Sequence, residues 1–308
     1  MKILLLSDLH LVVDNPIARL DDLVSTQWDK LDWVYNYAKK NKIDLVLQAG
    51  DLTHTKRSWS LLKSLTDFLS LYDDIPTRIV KGQHDSYFHD LDNNKTTTGI
   101  LLSAGLLTLL DKDGWSYREG NKSVGIYGSS YGEDIPCDLR DNDYNILVIH
   151  APIAEKGIPG VNYIDATKFL KEHEEYDLIL CGDIHEKFLI KYKNRFICNT
   201  GPMLRMEATK YMFKHQPCFF VLDTDNNEID KISIPAAPAD SVLSRDHIEK
   251  QKQRQDEFND FIERVKDASG VSSVDFLENL NLVMKKNKTP LTVKKIVEKY
   301  MEGERSDI

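Results

Sequence analysis

Five short stretches of this chain gather residue types that bind divalent cations and activate water. They are Asp8-Leu9-His10, Gly50-Asp51-Leu52-Thr53-His54, Gly82-Gln83-His84-Asp85, a lone His150, and Gly182-Asp183-Ile184-His185. Carboxylates and imidazoles from several strand ends can hold two divalent ions about 3.5–4 Å apart, a spacing that clamps the attacking and leaving oxygens of a phosphate ester. Such ions also make water acidic enough to attack phosphorus at neutral pH. A solitary D-x-H or G-D carries little information, because most single histidines are structural or surface residues. Five such stretches in one chain, each closing an apolar run, carry the inference together.

The apolar runs supply the positioning. Ile3 to Leu6 reads as a buried strand ending at Asp8 and His10, Ile43 to Leu47 as one ending at Gly50-Asp51, and Thr77 to Val80 as one ending at Gly82. Between them, Asn15-Pro16 is a helix start, followed at helical spacing by Ile17, Leu20, Val24, Trp28, Leu31, Val34 and Ala38, and a second helix covers 58–71. Strand, motif and helix repeat twice, so a parallel sheet carrying its chemistry at the strand C-termini is the economical topology. After a polar loop over 93–98 and a helix over 99–110, strands 115–130, 146–149 and 177–181 begin a second sheet. Antiparallel strands 189–192, 196–199, 218–223 and 228–234 are expected to close it.

In this order the stretches resemble the calcineurin-like metallophosphoesterase superfamily, whose pattern reads D-x-H, G-D, G-N-H-[DE], a lone His and G-H-x-H. The spacing of Asp51, His54 and the motif around His84 is most similar to the Mre11/SbcD nuclease branch, which includes bacteriophage recombination nucleases. The resemblance covers residues 1–235. It implies an α/β fold, a two-sheet metallophosphoesterase sandwich flanked by helices, with the metals along its edge. It further implies that Asp51 bridges two ions, that Asp8, His10 and His185 hold one, and that Gln83, His150 and Asp183 stand where the other is held. His84 matches the catalytic imidazole, with Asp85 orienting its ring, and His54 matches a histidine that contacts the scissile phosphate. Arg205 lies where the branch often has a Gly-Ser turn followed by Arg, and both a phosphate or DNA contact and a structural turn stand open for it. His89, His173, His215 and His247 fall outside the motifs and read as surface residues.

Two positions depart from the pattern, and both fall on the second metal. Gln83 replaces Asn and keeps an amide oxygen, while Asp183 replaces a histidine and makes that position harder and more anionic, favouring Mn²⁺ or Mg²⁺. The expected activity is therefore a Mn²⁺-dependent phosphodiesterase with two divalent metal ions, acting on DNA as an exo- or endonuclease in repair or recombination. A small-nucleotide phosphodiesterase or phosphatase is the alternative, and a catalytically impaired binding scaffold a third reading. Serine/threonine protein phosphatases are disfavoured, because that branch reads G-D-x-x-D-R-G and G-N-H-E where this chain has His54 and Asp85.

Composition sets the limits. The chain has 308 residues with 41% hydrophobic and 29% charged, and no apolar run approaches the ~18 residues of a membrane helix. Its four cysteines show no C-x-x-C spacing, so a reducing, cytoplasmic setting is expected. Residues 1–240 hold 27 Lys+Arg against 36 Asp+Glu, while 241–308 hold 13 of each, so the net charge of −9 sits on the first part. That acidity argues against extensive DNA binding by the chain alone. Pro235-Ala236-Ala237-Pro238 marks a boundary between the phosphoesterase domain and a helical C-terminal extension, 236–308, with helices over 244–266, 273–286 and 290–302. The extension reads as a helical cap or, by the resemblance, as the docking arm for a Rad50/SbcC-like ATPase. Homodimerisation through the stripe Val24, Trp28 and Val34 is open, as is plain core packing.

Overall fold

The computed structural model describes residues 1–87, 95–119, 122–157, 160, 162–269 and 276–303. The chain divides into two compact units, Met1–Ser244 and Arg245–Ile308. In the first, β1 (Lys2–Leu6), α1 (Leu23–Lys40), β2 (Leu45–Gln48), α2 (Trp59–Leu71) and β3 (Thr77–Ile79) alternate as expected. They are followed by α3 (Thr97–Ser103), β4 (Thr108–Leu109), β5 (Trp115–Glu119), β6 (Lys122–Ser129), β7 (Tyr144–Ala151), β8 (Ile153–Ala154), β9 (Ile164–Asp165) and α4 (Ala166–Glu172). β10 (Leu178–Asp183), β11 (Phe188–Tyr192), β12 (Arg195–Asn199), α5 (Lys210–Lys214), β13 (Cys218–Asp223), β14 (Glu228–Ser233) and α6 (Ala239–Val242) complete it.

Two six-stranded mixed sheets result, in the orders β14-β13-β1-β2-β3-β4 and β11-β12-β10-β7-β6-β5. Each has a parallel centre, with antiparallel pairing at one edge of the first sheet (β14-β13-β1) and at both edges of the second (β11-β12 and β6-β5), so this is the two-sheet α/β sandwich expected. One expectation is corrected. β13 and β14 do not close the second sheet; β13 pairs antiparallel with β1 in the first, Leu5 opposite Phe220. The alternation of β13 explains why, since Phe220 and Leu222 enter the core between the sheets while Phe219 and Val221 enter the core beneath the helices.

The same alternation fixes β1. Ile3 and Leu5 join the inter-sheet cluster with Leu45, Leu47, Val148 and Leu180, whereas Leu4 and Leu6 join Leu31, Val34, Leu65 and Phe68 beneath α1 and α2. A strand buried on both faces reads as a continuous apolar run. Each such side chain contributes about 1.5–3 kcal/mol of burial, so packing holds the strand end from which Asp8 emerges.

Helix boundaries bring two further corrections. α1 begins at Leu23 with Asp22 as its cap, not at Pro16. Ile17 and Leu20 are exposed, because the 15–22 segment is an irregular strap held by Asn15, whose Oδ1 accepts from Leu23 N, and by a bidentate Arg19–Asp21 pair. Val34 is fully buried, and Val24 and Trp28 pack on the same core, so core packing accounts for that stripe. The helix expected over 99–110 stops at Ser103, since Gly105 takes φ +73° and turns the chain into β4. Of the loop expected over 93–98, residues 93 and 94 lie outside the described residues, as do 273–275 of the second C-terminal helix.

The first unit runs past Pro238. Arg205 Nη1 donates to Ala237 O, Leu20 N to Val242 O and Ser244 N to Ala18 O, and Val242 and Leu243 pack with Met212. The second unit comprises α7 (Asp246–Ser269), α8 (Phe276–Lys286) and α9 (Leu291–Gly303), around a small core of Leu280, Met284 and Val297 flanked by Phe258 and Phe261. Among the described residues, no helix is long and apolar enough to cross a membrane. All four cysteines are free, and Cys181, Cys198 and Cys218 are buried.

Candidate metal centre

Asp8 and His10 leave the end of β1, Asp51 the end of β2, and Gln83 and His84 the loop after β3, while His150 and Asp183 sit in β7 and β10 of the other sheet. Parallel pairing puts Gly182 opposite His150, which brings the two strand ends level. Four of these residues adopt left-handed backbone, Asp8 at φ 48°, His10 at 44°, Asp51 at 54° and Asp183 at 94°. Such conformations cost on the order of 1–3 kcal/mol each for non-glycine residues and persist where surrounding structure over-determines them.

The motif glycines are required by close approach. A Cβ on Gly82 would overlap the carboxylate and main-chain nitrogen of Asp51, one on Gly50 the ring of His150, and one on Gly182 the carbonyl of Ala49. Bare backbone at these three points lets the strand ends converge.

The side chains converge in three overlapping groups, Asp8 with His10 and His185, Asp8 with Asp51 and His150, and His10 with His54 and His84; within each group the candidate ligand atoms lie within 4.8 Å of one another. Asp51 Oδ2 stands 3.5 Å from His10 Nε2 and 3.6 Å from His150 Nε2, so one carboxylate oxygen lies between the two histidines. His10 Nε2 and His185 Nε2 are 3.0 Å apart. Beside them, His150 Nδ1 donates to Ala49 O (2.6 Å), its Nε2 lies 2.8 Å from Gln83 Oε1, and Gln83 Nε2 donates to Asp183 Oδ1 (2.8 Å), so the two departures from the family pattern are bonded to each other.

The electrostatics ask for a cation. Burial, together with neighbouring carboxylates, pushes the carboxyls of Asp8 and Asp51 well above the usual range, with main-chain bonds from Asp183 N and His84 N only partly offsetting this. Burial also holds the imidazoles of His10, His150 and His185 below their ordinary value, and for His10 the adjacent rings of His185, His84 and His54 add to it. Neutral imidazoles are the ligand form. Asp8 Oδ2 and His10 Nδ1 are buried without a hydrogen-bond partner. Orphaned donors of this kind, in a set of oxygen and nitrogen ligands lacking sulfur, fit divalent cations.

His84 and His54 flank the group. Their rings stack at 5.2 Å with 21° between planes, and His84 Nδ1 donates to His54 O (3.0 Å). One expectation fails here. Asp85 does not orient the His84 ring; its buried carboxylate accepts from Gly82 N (3.0 Å), Leu52 N (3.2 Å) and Thr98 Oγ1 (2.7 Å), clamping the loop backbone instead. Arg205 stands apart from the cluster. Its guanidinium is buried and donates to His215 O (2.8 Å) and Ala237 O (2.7 Å), the geometry of a turn clamp. His215 is buried rather than on the surface, its Nε2 donating to Pro202 O. His173 is half-buried beside Glu175. His89 lies outside the described residues, as does the side chain of His247.

A supporting layer escaped sequence reading. Asn199, fully buried, accepts from Ser7 Oγ and Gly201 N and donates to Ile184 O (2.7 Å), while Ser7 N donates to Thr200 Oγ1. It ties the Asp8 strand to the Asp183–His185 loop across the two sheets. Gln48, at the end of β2, bonds both the N–H and the carbonyl of Gly50. The available signal was a polar residue at the last position of an apolar strand.

The sequence profile described as calcineurin-like phosphoesterase matches residues 1–187. The chain belongs to this family. Membership implies a metal-dependent phosphoesterase, and the cluster above is a candidate site for its ions. Among curated proteins the chain is similar to the double-strand break repair protein MRE11 of Encephalitozoon cuniculi, at 27% identity over 62% of this chain, and it spans only 40% of that relative's length. Solved structures similar to this family member include TT1561 of Thermus thermophilus, with 12% identity, a TM-score of 0.47, and coverage of 76% of this chain and 99% of that one. An archaeal phosphodiesterase matches at 12% identity and a TM-score of 0.40, covering 76% of this chain and all of that one.

Proposed function

We propose that this family member is a phosphodiesterase acting on DNA, an exo- or endonuclease of the Mre11/SbcD type, using two divalent ions with Mn²⁺ preferred over Mg²⁺. The observation that carries the reading is the stacked His54–His84 pair beside the Asp51-centred ligand cluster. Bound divalent ions would supply Lewis acidity at the phosphoryl oxygens and make water a nucleophile at neutral pH. Asp8, His10 and His185 would hold one ion, Gln83, His150 and Asp183 the other, and Asp51 would lie between them. Because the Asp183 carboxylate replaces an imidazole, the second position is suited to Mn²⁺ or Mg²⁺.

The remaining chemistry belongs to the chain. His84 commits its Nδ1 proton to His54 O, which leaves Nε2 to meet the substrate. From there the protonated ring stabilises charge on the phosphoryl oxygens or delivers a proton to the leaving oxygen. The exposed ring of His54 contacts the phosphate. The second unit, with its own small core and with Leu282, Leu291 and Ile296 exposed, is the surface we assign to a Rad50/SbcC-like ATPase.

End-labelled single- and double-stranded DNA and a chromogenic phosphodiester, incubated with the chain in Mn²⁺, Mg²⁺ or chelator beside His84→Ala, test the reading. Metal-dependent DNA cleavage lost in His84→Ala is the expected result. Turnover of the small diester with DNA untouched would favour the second reading, a small-nucleotide phosphodiesterase, to which the net charge of −9 lends support.

A further inference from the structure

The segment that follows His54 builds a groove outside the metal centre. Arg57, Trp59, Leu62, Lys95 and Ile100 are among the residues lining a cavity of about 420 Å³, of the size of ligand sites in general. Trp59, in the first turn of α2, is 83% exposed. The groove walls are fixed: Thr97 N donates to Lys56 O, Ser58 N to Thr97 Oγ1, and Arg57 Nε to Lys95 O (2.8 Å), with the Arg57 guanidinium 4.0 Å over the Tyr87 ring. An indole kept in water beside a half-buried Leu62 and Ile100, with Arg57 and Lys95 in the same lining, is the combination that binds single-stranded nucleic acid. Bases stack on the aromatic ring, and cations take the phosphates.

Charge chooses this groove over its neighbour. The other groove, about 340 Å³, is lined by His54, Val13, Met206, Asp14 and Glu207, and its lining includes no lysine or arginine. Beyond His54, a polyanion is repelled on the side of Asp14 and Glu207 and attracted on the side of Arg57, three residues along the chain.

We infer that the Trp59 groove seats unpaired nucleotides of the strand adjoining the scissile phosphate, one base stacked on the Trp59 indole and the phosphates held by Arg57. This deepens the nuclease reading and rests on it. A strand so held must be single-stranded at that point, since a base inside a duplex has no free face to offer the indole. The groove thereby selects frayed or unpaired ends over blunt duplex.

The test is fluorescence anisotropy of a labelled 15-nucleotide single strand, a blunt duplex and an overhang duplex, titrated with the full chain in chelator so that nothing is cut. Trp59→Ala weakens single-strand binding by about 5- to 150-fold, one stacked base's worth, while Trp59→Phe stays within about threefold because stacking persists. Arg57→Gln weakens binding and flattens its salt dependence, whereas Glu207→Gln does not weaken it. Equal single-strand affinity for the parent, Trp59→Ala and Trp59→Phe overturns the proposal. Cleavage in Mn²⁺ with binding insensitive to Trp59 would sink the groove alone. Trp59-dependent binding without cleavage in any metal would sink the nuclease reading and leave the groove standing. No oligonucleotide binding at low salt would sink both.

Discussion

The Nδ1–H of His84 is bonded to a main-chain atom, the carbonyl oxygen of His54, at 3.0 Å. Because the acceptor is backbone, replacing the His54 side chain removes a stacked ring without freeing the His84 ring. The two histidines can therefore be separated experimentally.

His84→Ala is expected to lower turnover by about 10²- to 10⁴-fold, the usual worth of a positioned acid–base group. Metal content measured by plasma mass spectrometry is expected to stay at the parent level, since the proposed role gives the ions to Asp8, His10, Asp51, Gln83, His150, Asp183 and His185 and not to this ring. His54→Ala, with His84 still oriented, loses less. A fall in bound metal in His84→Ala would remove His84 from its assigned role.

Gly82→Ala places a methyl group against the Asp51 carboxylate. It should destabilise the fold by about 2–4 kcal/mol in urea unfolding and weaken metal binding, through overpacking at a site with no room to relax. Gly105→Ala is the comparison. At φ +73° with nothing within 4 Å of an added Cβ, it carries only the backbone cost of about 1–2 kcal/mol and leaves metal binding intact.

The Gln83–Asp183 bond predicts coupled effects on one ion. Asp183→His should raise the affinity of the position held by Gln83, His150 and Asp183 for Zn²⁺ relative to Mn²⁺ in calorimetric titration, as an imidazole softens the donor set. Asp183→Ala and Gln83→Ala together should cost less than the sum of the single losses, because each alone already breaks the 2.8 Å bond. Strict additivity would mean that the two residues act independently.

Acid sensitivity is expected at His215. Burial pushes its imidazole down to about 4, with the Pro202 carbonyl opposing and Lys187, Arg205 and Lys30 reinforcing. The folded value lies below the unfolded one near 6.5, so the unfolded chain takes up the proton first. Stability is complete above about pH 6.5 and falls as the pH drops towards 4, by about 3 kcal/mol for this group. In His215→Gln, the slope of the urea midpoint between about pH 6.5 and 4 should be shallower than in the parent. An unchanged slope would assign the acid sensitivity to other groups.

Most of the candidate cluster is legible in the sequence because its residues terminate apolar strands, and strand ends are where parallel sheets gather their polar groups. Asp8, Asp51 and His150 illustrate this directly. Asp85 was misread because adjacency in sequence to His84 says nothing about which way a carboxylate points in a turn, and the unpaired N–H groups of Gly82 and Leu52 claimed it. The strap at Ile17 and Leu20 kept helical spacing without helical structure, since the Arg19–Asp21 pair and the bonds to Val242 and Arg205 outweigh local propensity. β13 and β14 were placed in the wrong sheet for a different reason. Apolar alternation specifies that a strand has two buried faces, but the unpaired edge of β1 that receives it lies over two hundred residues away.

The candidate ligands come from both sheets, Asp8, His10 and Asp51 from one and His150, Asp183 and His185 from the other, with Asn199 spanning the gap beneath them. Metal affinity is consequently a gauge of how the sheets are aligned. A small slip along the seam, such as the cavity left by Leu180→Ala, separates two half-sites that no single strand carries, so a core substitution of a residue that offers no donor atom is expected to surface first as weakened metal binding in a chain that is still folded.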